Sequence, residues 1–319
     1  MRKLIFVFII AVILFPYKLR AQTEELLGNK LRNVVQAYAA AYLKPVNKAL
    51  GVTLNSGMYT NTKASNLENP IQFRFYAGLK AFGFFVKDED KKFNLRYVDT
   101  VTQGGISTPF EFTTTNAPTF FGVRDAGVAT YRDNSGIQQS QQTIGGIYRS
   151  DVAPFVLLHL EAGSIYGTDV MLRFLPKVKL GKLEDISVIG FGIKHNVSQY
   201  LKTLPVDVTV QFALQKVELN SDNINIVDSD AKVFNLTVAK RFLFVDLYAG
   251  VQYDNLSTKI KYNYLTSNNV LVPVEFEMDK INNTTGILGA AFHLGGVYVN
   301  LDGNFGKNMV LTAGIGYAY

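Results

Sequence analysis

The sequence predicts an all-β protein: a transmembrane antiparallel β-barrel of about 12–14 strands, preceded by an N-terminal helical plug or hatch segment. Three observations carry this expectation: an alternating last strand that ends on an aromatic, a secretory pattern at the N-terminus, and period-two alternation from Ile71 onward. At the C-terminal end Leu311, Ala313, Ile315, Tyr317 and Tyr319 share one strand face, and Thr312, Gly314 and Gly316 share the other. Terminal strands fray in water. In bacterial outer-membrane barrels the last strand closes the wall instead, and its aromatic rings sit in the interfacial girdle. Gly314, Tyr317 and Tyr319 also have the spacing of a barrel assembly signal, so outer-membrane lipid and the barrel-assembly machinery are the expected partners.

At the other end, Arg2 and Lys3 precede an apolar run at residues 4–15, and Ala21 supplies a small residue for cleavage before Gln22. The run is well short of the roughly 20 residues a spanning helix needs. The expected organisation is therefore a signal peptide at 1–21, a helix and connection forming the hatch or plug at 22–70, and a barrel at 71–319. The expected location is the cell outer membrane of a Gram-negative bacterium.

The charge balance changes once the signal is set aside. Of 32 Lys and Arg, Arg2, Lys3, Lys18 and Arg20 lie in the signal, which holds no acid, leaving 28 against 26 Asp and Glu. That near-neutral remainder gives no reason to expect nucleic acid. The absence of cysteine excludes a lipoprotein anchor, a disulfide framework and a thiolate site. His159, His195 and His293 are far apart and lack metal-ligand spacing, so no cofactor is expected.

Residues 23–49 read as one amphipathic helix. Thr23 is placed to cap it, and Leu27, Leu31, Val34, Tyr38 and Tyr42 form an apolar stripe, with Pro45 expected to kink or end it. With no helical partner downstream, that stripe must bury against strands, either as a cap over one end of a sheet or as a plug in a lumen. Strands follow at 71–81, 93–101, 108–115, 154–163, 168–178, 185–194, 206–219, 232–240, 244–255, 284–294, 296–305 and 308–319. A hairpin at 259–278 would raise twelve to fourteen. The irregular stretch 116–151 and the other long connections fall on one side and the short turns on the other, the asymmetry of outer-membrane barrels. The last strand is expected to pair with the first.

Alternation assigns Arg74, Arg173, Asp207, Gln211, Asn235, Asp246, Asn300 and Asp302 to the interior, because Arg or Lys facing the bilayer midplane costs about 2–4 kcal/mol. Catalysis has little support: residues 163–167 lack the Gly-x-Ser-x-Gly spacing, and His159 with Glu161 reads as a lumen pair. The chain is not expected to be an enzyme.

Three stretches carry a resemblance. They are Tyr42, Leu43, Lys44, Pro45 with Gly51, Leu54, Asn55, Ser56, Gly57 and Tyr59; residues 168–177; and residues 190–200. Together they resemble an uncharacterised family of predicted outer-membrane barrels, distantly similar to the FadL-type long-chain fatty-acid transporters. That likeness implies a hatch in the lumen, a lateral opening in the wall and passive passage of a small hydrophobic molecule. No FadL ligand-site residue matches position by position. The alternative is a non-conducting barrel that scaffolds a partner in secretion or surface assembly.

Overall fold

The computed structural model describes residues 24–319 apart from 61–64, 104–105, 133–136, 180–183, 202–203, 222–223 and 266–270. The expected signal segment 1–21 and the side chains of Leu27 and Leu31 lie outside the described residues. One helix, α1 (Glu24–Asn55), precedes fifteen strands: β1 (Ile71–Phe85), β2 (Lys92–Gln103), β3 (Ile106–Pro118), β4 (Val128–Arg132), β5 (Gln138–Gln142), β6 (Val152–Ile165), β7 (Thr168–Lys179), β8 (Glu184–Asn196), β9 (Asp207–Ser221), β10 (Ile224–Phe242), β11 (Val245–Leu265), β12 (Leu271–Glu277), β13 (Ile281–Leu294), β14 (Val297–Phe305) and β15 (Val310–Ala318).

Ten strands close a ring in the order β1, β6, β7, β8, β9, β10, β11, β13, β14, β15, with β15 pairing back to β1 from Phe84 opposite Val310 to Tyr76 opposite Ala318. Every neighbouring pair is antiparallel. The expected count of twelve to fourteen is too high, for two reasons. β2 and β3 form a separate four-stranded sheet with β4 and β5, because β1 already has β6 on one side and β15 on the other. Their alternation reflects packing on α1, where Tyr38 meets Phe93 and Phe112 with ring centroids 5.2 and 6.4 Å apart. The second hairpin, β12 with the upper part of β11, extends beyond the closed wall. Its outward pairs Lys259–Glu277 and Lys261–Glu275, at 3.4 and 3.2 Å, suit water rather than lipid.

The two ends of the ring differ. At the turn end the chain reverses through Tyr166–Gly167, Leu243–Phe244 and Gly295–Gly296, and through a longer connection at 197–206. Gly295 and Gly296 have φ of 59° and 91°, a left-handed pair that glycine adopts without strain. At the loop end lie the four-stranded sheet and the β11–β12 extension.

Along each wall strand one face is buried in the lumen and the other is apolar and open. Phe191, Leu247, Leu301 and Ile315 are 52–61% exposed, within a belt of outward Leu, Ile, Val, Phe and Tyr that runs round the ring. A contiguous apolar surface of that extent has no counterpart on ordinary water-soluble monomers. Tyr317 and Tyr319 lie on this outer face at the turn end, where Phe73 and Tyr319 rings approach to 6.4 Å.

Pro45 does not end α1 early: the helix continues ten residues past it. Proline forfeits one backbone hydrogen bond, but the turns that follow are buried against the wall, with Val52 and Leu54 wholly inaccessible. The helix runs from the outer sheet down into the lumen. Near its start Gln36 Nε2 donates to the Glu275 carbonyl of β12; at its end Leu54 and Asn55 meet β7 and β9. Residues 56–60 continue the descent. Ser65 Oγ then bonds Ser164 Oγ at 2.9 Å near the turn end, where β1 begins.

Candidate functional site

The lumen has two halves of opposite chemistry. In the turn-end half, polar wall residues hold the descending chain. Arg173 is fully buried on β7 and donates Nη1 to Leu54 O at 2.7 Å, and Nη2 to Ser56 O at 2.8 Å and Gly57 O at 2.7 Å. These are carbonyls at and just past the C-terminus of α1, where the helix dipole is negative and backbone acceptors lack helical partners. Arg173 is thus a buried cation compensated by a helix end. From β9, Gln215 Nε2 reaches the same Leu54 O and the Asn55 side chain, at 2.7 and 3.0 Å.

Gly57 makes the turn possible. Its φ is 63°, and a Cβ there would stand 2.6 Å from Thr312 Cγ2 and 2.9 Å from Phe82 Cε1. Below it the Tyr59 ring stacks on Tyr248 at 3.7 Å, and its hydroxyl reaches Asp246 at 3.3 Å. Lys80, buried on β1, donates to Tyr59 O at 3.0 Å and to Asn300 Oδ1 at 2.6 Å. Gly314 leaves room for that pair, since a Cβ there would lie 2.1 Å from Asn300 Oδ1. On the facing wall Glu161 gathers Arg74, Lys194 and Thr60, and Arg74 and Lys194 also meet Asp169. His159 is buried beside them and accepts from Arg173 Nε at 3.2 Å. Arg241 and His293 bracket Asp246 at 2.5 and 2.7 Å.

The loop-end half is apolar. A cavity of about 430 Å³ lies between α1 and the wall, with Leu50 and Leu54 on the helix side and Phe155, Ile186, Val217 and Ile260 on the strands. Phe120, Phe121 and Tyr148, from the connection between β3 and β6, complete its lining. On the rim nearby, Lys91 is held above its ordinary pKa by hydrogen bonds to the Asp151 and Asp88 carboxylates.

The wall beside this cavity is incompletely zipped. β6 and β7 pair from Ile165 opposite Thr168 only as far as Leu158 opposite Phe174. Beyond that point residues 152–157 and 175–179 share no ladder among the described residues, although 152–157 pair with β1 and Leu175, Val178 and Lys179 pair with β8. Two prolines account for it. Val86 N donates to Asp151 O on the β1 side, so strand alternation turns Pro154 toward β7; Pro176 sits in a bulge of β7, where it and Lys177 fall out of register with β8. Each proline presents no N–H across the seam.

Of the residues assigned inward by alternation, Arg173, Asp246, Asn235, Gln211, Asn300 and Asp302 are buried in the lumen, Arg74 is nearly so, and Asp207 is half-buried at the turn end of β9. Arg74, Arg173, Asp246 and Asn300 join the network that touches the descending chain; Asn235 bonds Gln252 and Thr237 on the wall instead. Val34, Tyr38 and Tyr42 are buried, but mainly against the outer sheet and the loops: Tyr42 OH donates to Gly145 O at 3.1 Å. Sequence reading did not find Lys80, Lys194, Gly57 or the cavity. Lysine alternating with apolar residues at Lys80 and Lys194 was an available signal for the first two. Pro154 and Pro176 were available signals for the seam.

No curated protein matches the chain. Among solved structures, OmpT of Vibrio cholerae overlaps 78% of this chain and 99% of its own, with 13% identity and a TM-score of 0.27. OccAB4 of Acinetobacter baumannii covers 80% and 100%, at 8% identity and a TM-score of 0.22. A ΔS2S3 mutant of TodX, a monoaromatic hydrocarbon channel, covers 78% and 90%, at 9% identity and a TM-score of 0.21. At such TM-scores none of these overlaps bears on how this chain works. The family comparison does bear on identity: with its model matched over residues 1–319, the chain belongs to the family of unknown function DUF6588.

Proposed function

We propose that the protein is a non-catalytic outer-membrane barrel that takes a small hydrophobic molecule into the loop-end cavity and passes it without energy input. The observation that carries this reading is the apolar, partly open cavity of about 430 Å³ between α1 and the wall, within the usual range for small-molecule sites. The outward apolar belt supports a bilayer setting, and among the described residues the closed ring leaves its main gap in pairing at the β6–β7 seam. In this orientation the turn end faces the periplasm and the loop end faces outward. The seam sits beside the cavity on the lipid side, which offers an apolar molecule a route that avoids water. Below the cavity, α1 and residues 56–60 act as the hatch.

The test uses full-length protein in liposomes. N-phenyl-1-naphthylamine should transfer to the liposome interior faster than through protein-free vesicles, while sugars of porin size cause no swelling. Equal dye transfer with and without protein would sink the reading. The filled turn-end lumen favours one other reading, a non-conducting scaffold. That reading predicts no dye transfer, together with recovery of a stoichiometric partner from native membranes.

A further inference from the structure

A second lumen feature lies on the wall facing away from Arg173. β11, β13 and β14 carry a column of buried polar side chains that α1 reaches only through Asn55, beside Asp254. Asn283 Nδ2, Thr285 Oγ1 and both amide atoms of Asn304 have no hydrogen-bond partner, and these residues are 7%, 1% and 1% exposed. Native interiors leave few such atoms, and those that persist mark water, an ion or a ligand.

Register places them in line. Asn283 stands opposite Asp254, Asn304 opposite Ile287, and Asp302 opposite Gly289. The column therefore extends over six residues of β13, about 20 Å at ~3.4 Å per residue. A carboxylate stands at each end. Asp254 is 1% exposed and accepts from Gln252 Nε2 at 2.8 Å; Asp302 is 5% exposed and accepts from Tyr248 OH and Asn300 Nδ2 at 2.9 and 2.8 Å. No cationic nitrogen of a described residue lies within 4.0 Å of either. Asp302 has its compensating cation in Lys80, which is joined to it through Asn300, so the carboxylate without one is Asp254.

Buried carboxylates need a compensating charge. Around Asp254, above the inward Ile287, Asn283, Thr285 and Asn304 offer neutral oxygen and amide functions, the donor set of a hard, small cation with its water. We propose that this column is a hydrated lane that binds a small cation such as sodium at its Asp254 end, among Asn283, Thr285 and Asn304. It lies further down β11 than Thr258 and Ile260, which line the apolar cavity, and takes a different class of ligand. The lane is blind at its lower end, where the Tyr59–Tyr248 stack closes the lumen, so it binds cations without conducting them through.

The experiment is thermal unfolding of the full chain in detergent, read by the gel shift of the heat-modifiable barrel, in sodium chloride and in choline chloride at equal ionic strength. Sodium is expected to raise the midpoint by about 2–5 °C. Asp254→Asn should lose that rise, Thr285→Val should reduce it, and Glu275→Gln, an exposed carboxylate beyond the wall, should keep it. If Asp254→Asn does not fold, the wild-type comparison and Thr285→Val still decide. Equal wild-type midpoints in the two salts would overturn the proposal, as would an undiminished sodium rise in both lane variants.

Discussion

The loop-end and turn-end halves of one lumen are built from the same ten strands, yet one is an apolar hollow and the other a packed polar network. The difference comes from which side chains alternation delivers at each depth. Leu157, Val188, Val217 and Leu256 face inward near the loop end. One to three inward positions lower on the same strands, or on their neighbours, come Glu161, Arg173, Lys194 and Gln211. Apolar inward residues have no claim on the helix backbone and leave space beside it. Polar ones must be satisfied, so they grip the chain. α1 is thus anchored from below and free along one flank above.

The largest expected effect comes from breaking the anchored half. Arg173→Met leaves the Leu54, Ser56 and Gly57 carbonyls without their donor and should lower unfolding stability by about 3–5 kcal/mol in urea titrations. Planar-bilayer recordings should then show openings where wild type is silent. Gly57→Ala attacks the same anchor through the backbone and should cost about 1–2 kcal/mol, from the left-handed φ and the crowding at Thr312 and Phe82. A change to the hollow half should separate binding from stability: Ala153→Phe, filling the cavity edge, should weaken dye binding at least tenfold, about 1.4 kcal/mol, with an unfolding midpoint near wild type. Replacing Pro154 and Pro176 with valine restores the missing donors at the seam and should slow dye transfer while leaving equilibrium binding in place. The smallest effect belongs to neither half: Lys261→Ala, which removes the exposed 3.2 Å pair with Glu275, should change stability by less than about 0.5 kcal/mol.

Much of the wall was legible because a strand with one lipid face and one lumen face writes its period in residue type. The run Val206, Val208, Val210, Phe212, Leu214 against Thr209, Gln211 and Gln215 shows it most clearly. The count was not legible. Residues 93–115 alternate just as well, but their apolar face serves Tyr38, and period two does not say whether lipid or a helix is the partner. The lumen-facing residues were readable one by one. Their grouping was not, because Arg173 and Gly57 are 116 positions apart in sequence and meet only once the ring closes round the hatch. The cavity left no sequence mark of its own, being a space defined by what the polar anchors below do not fill.

The central claim is that a hydrophobic molecule occupies the loop-end hollow above an anchored hatch. Photo-crosslinking of the full chain with a diazirine-bearing alkane, followed by peptide mass spectrometry, tests it most directly. The account predicts adducts on Leu50, Phe155 and Met278, reduced by excess unlabelled alkane and lost in Ala153→Phe. Adducts confined to outer-belt residues such as Phe191 and Leu247, unaffected by competitor, would contradict it.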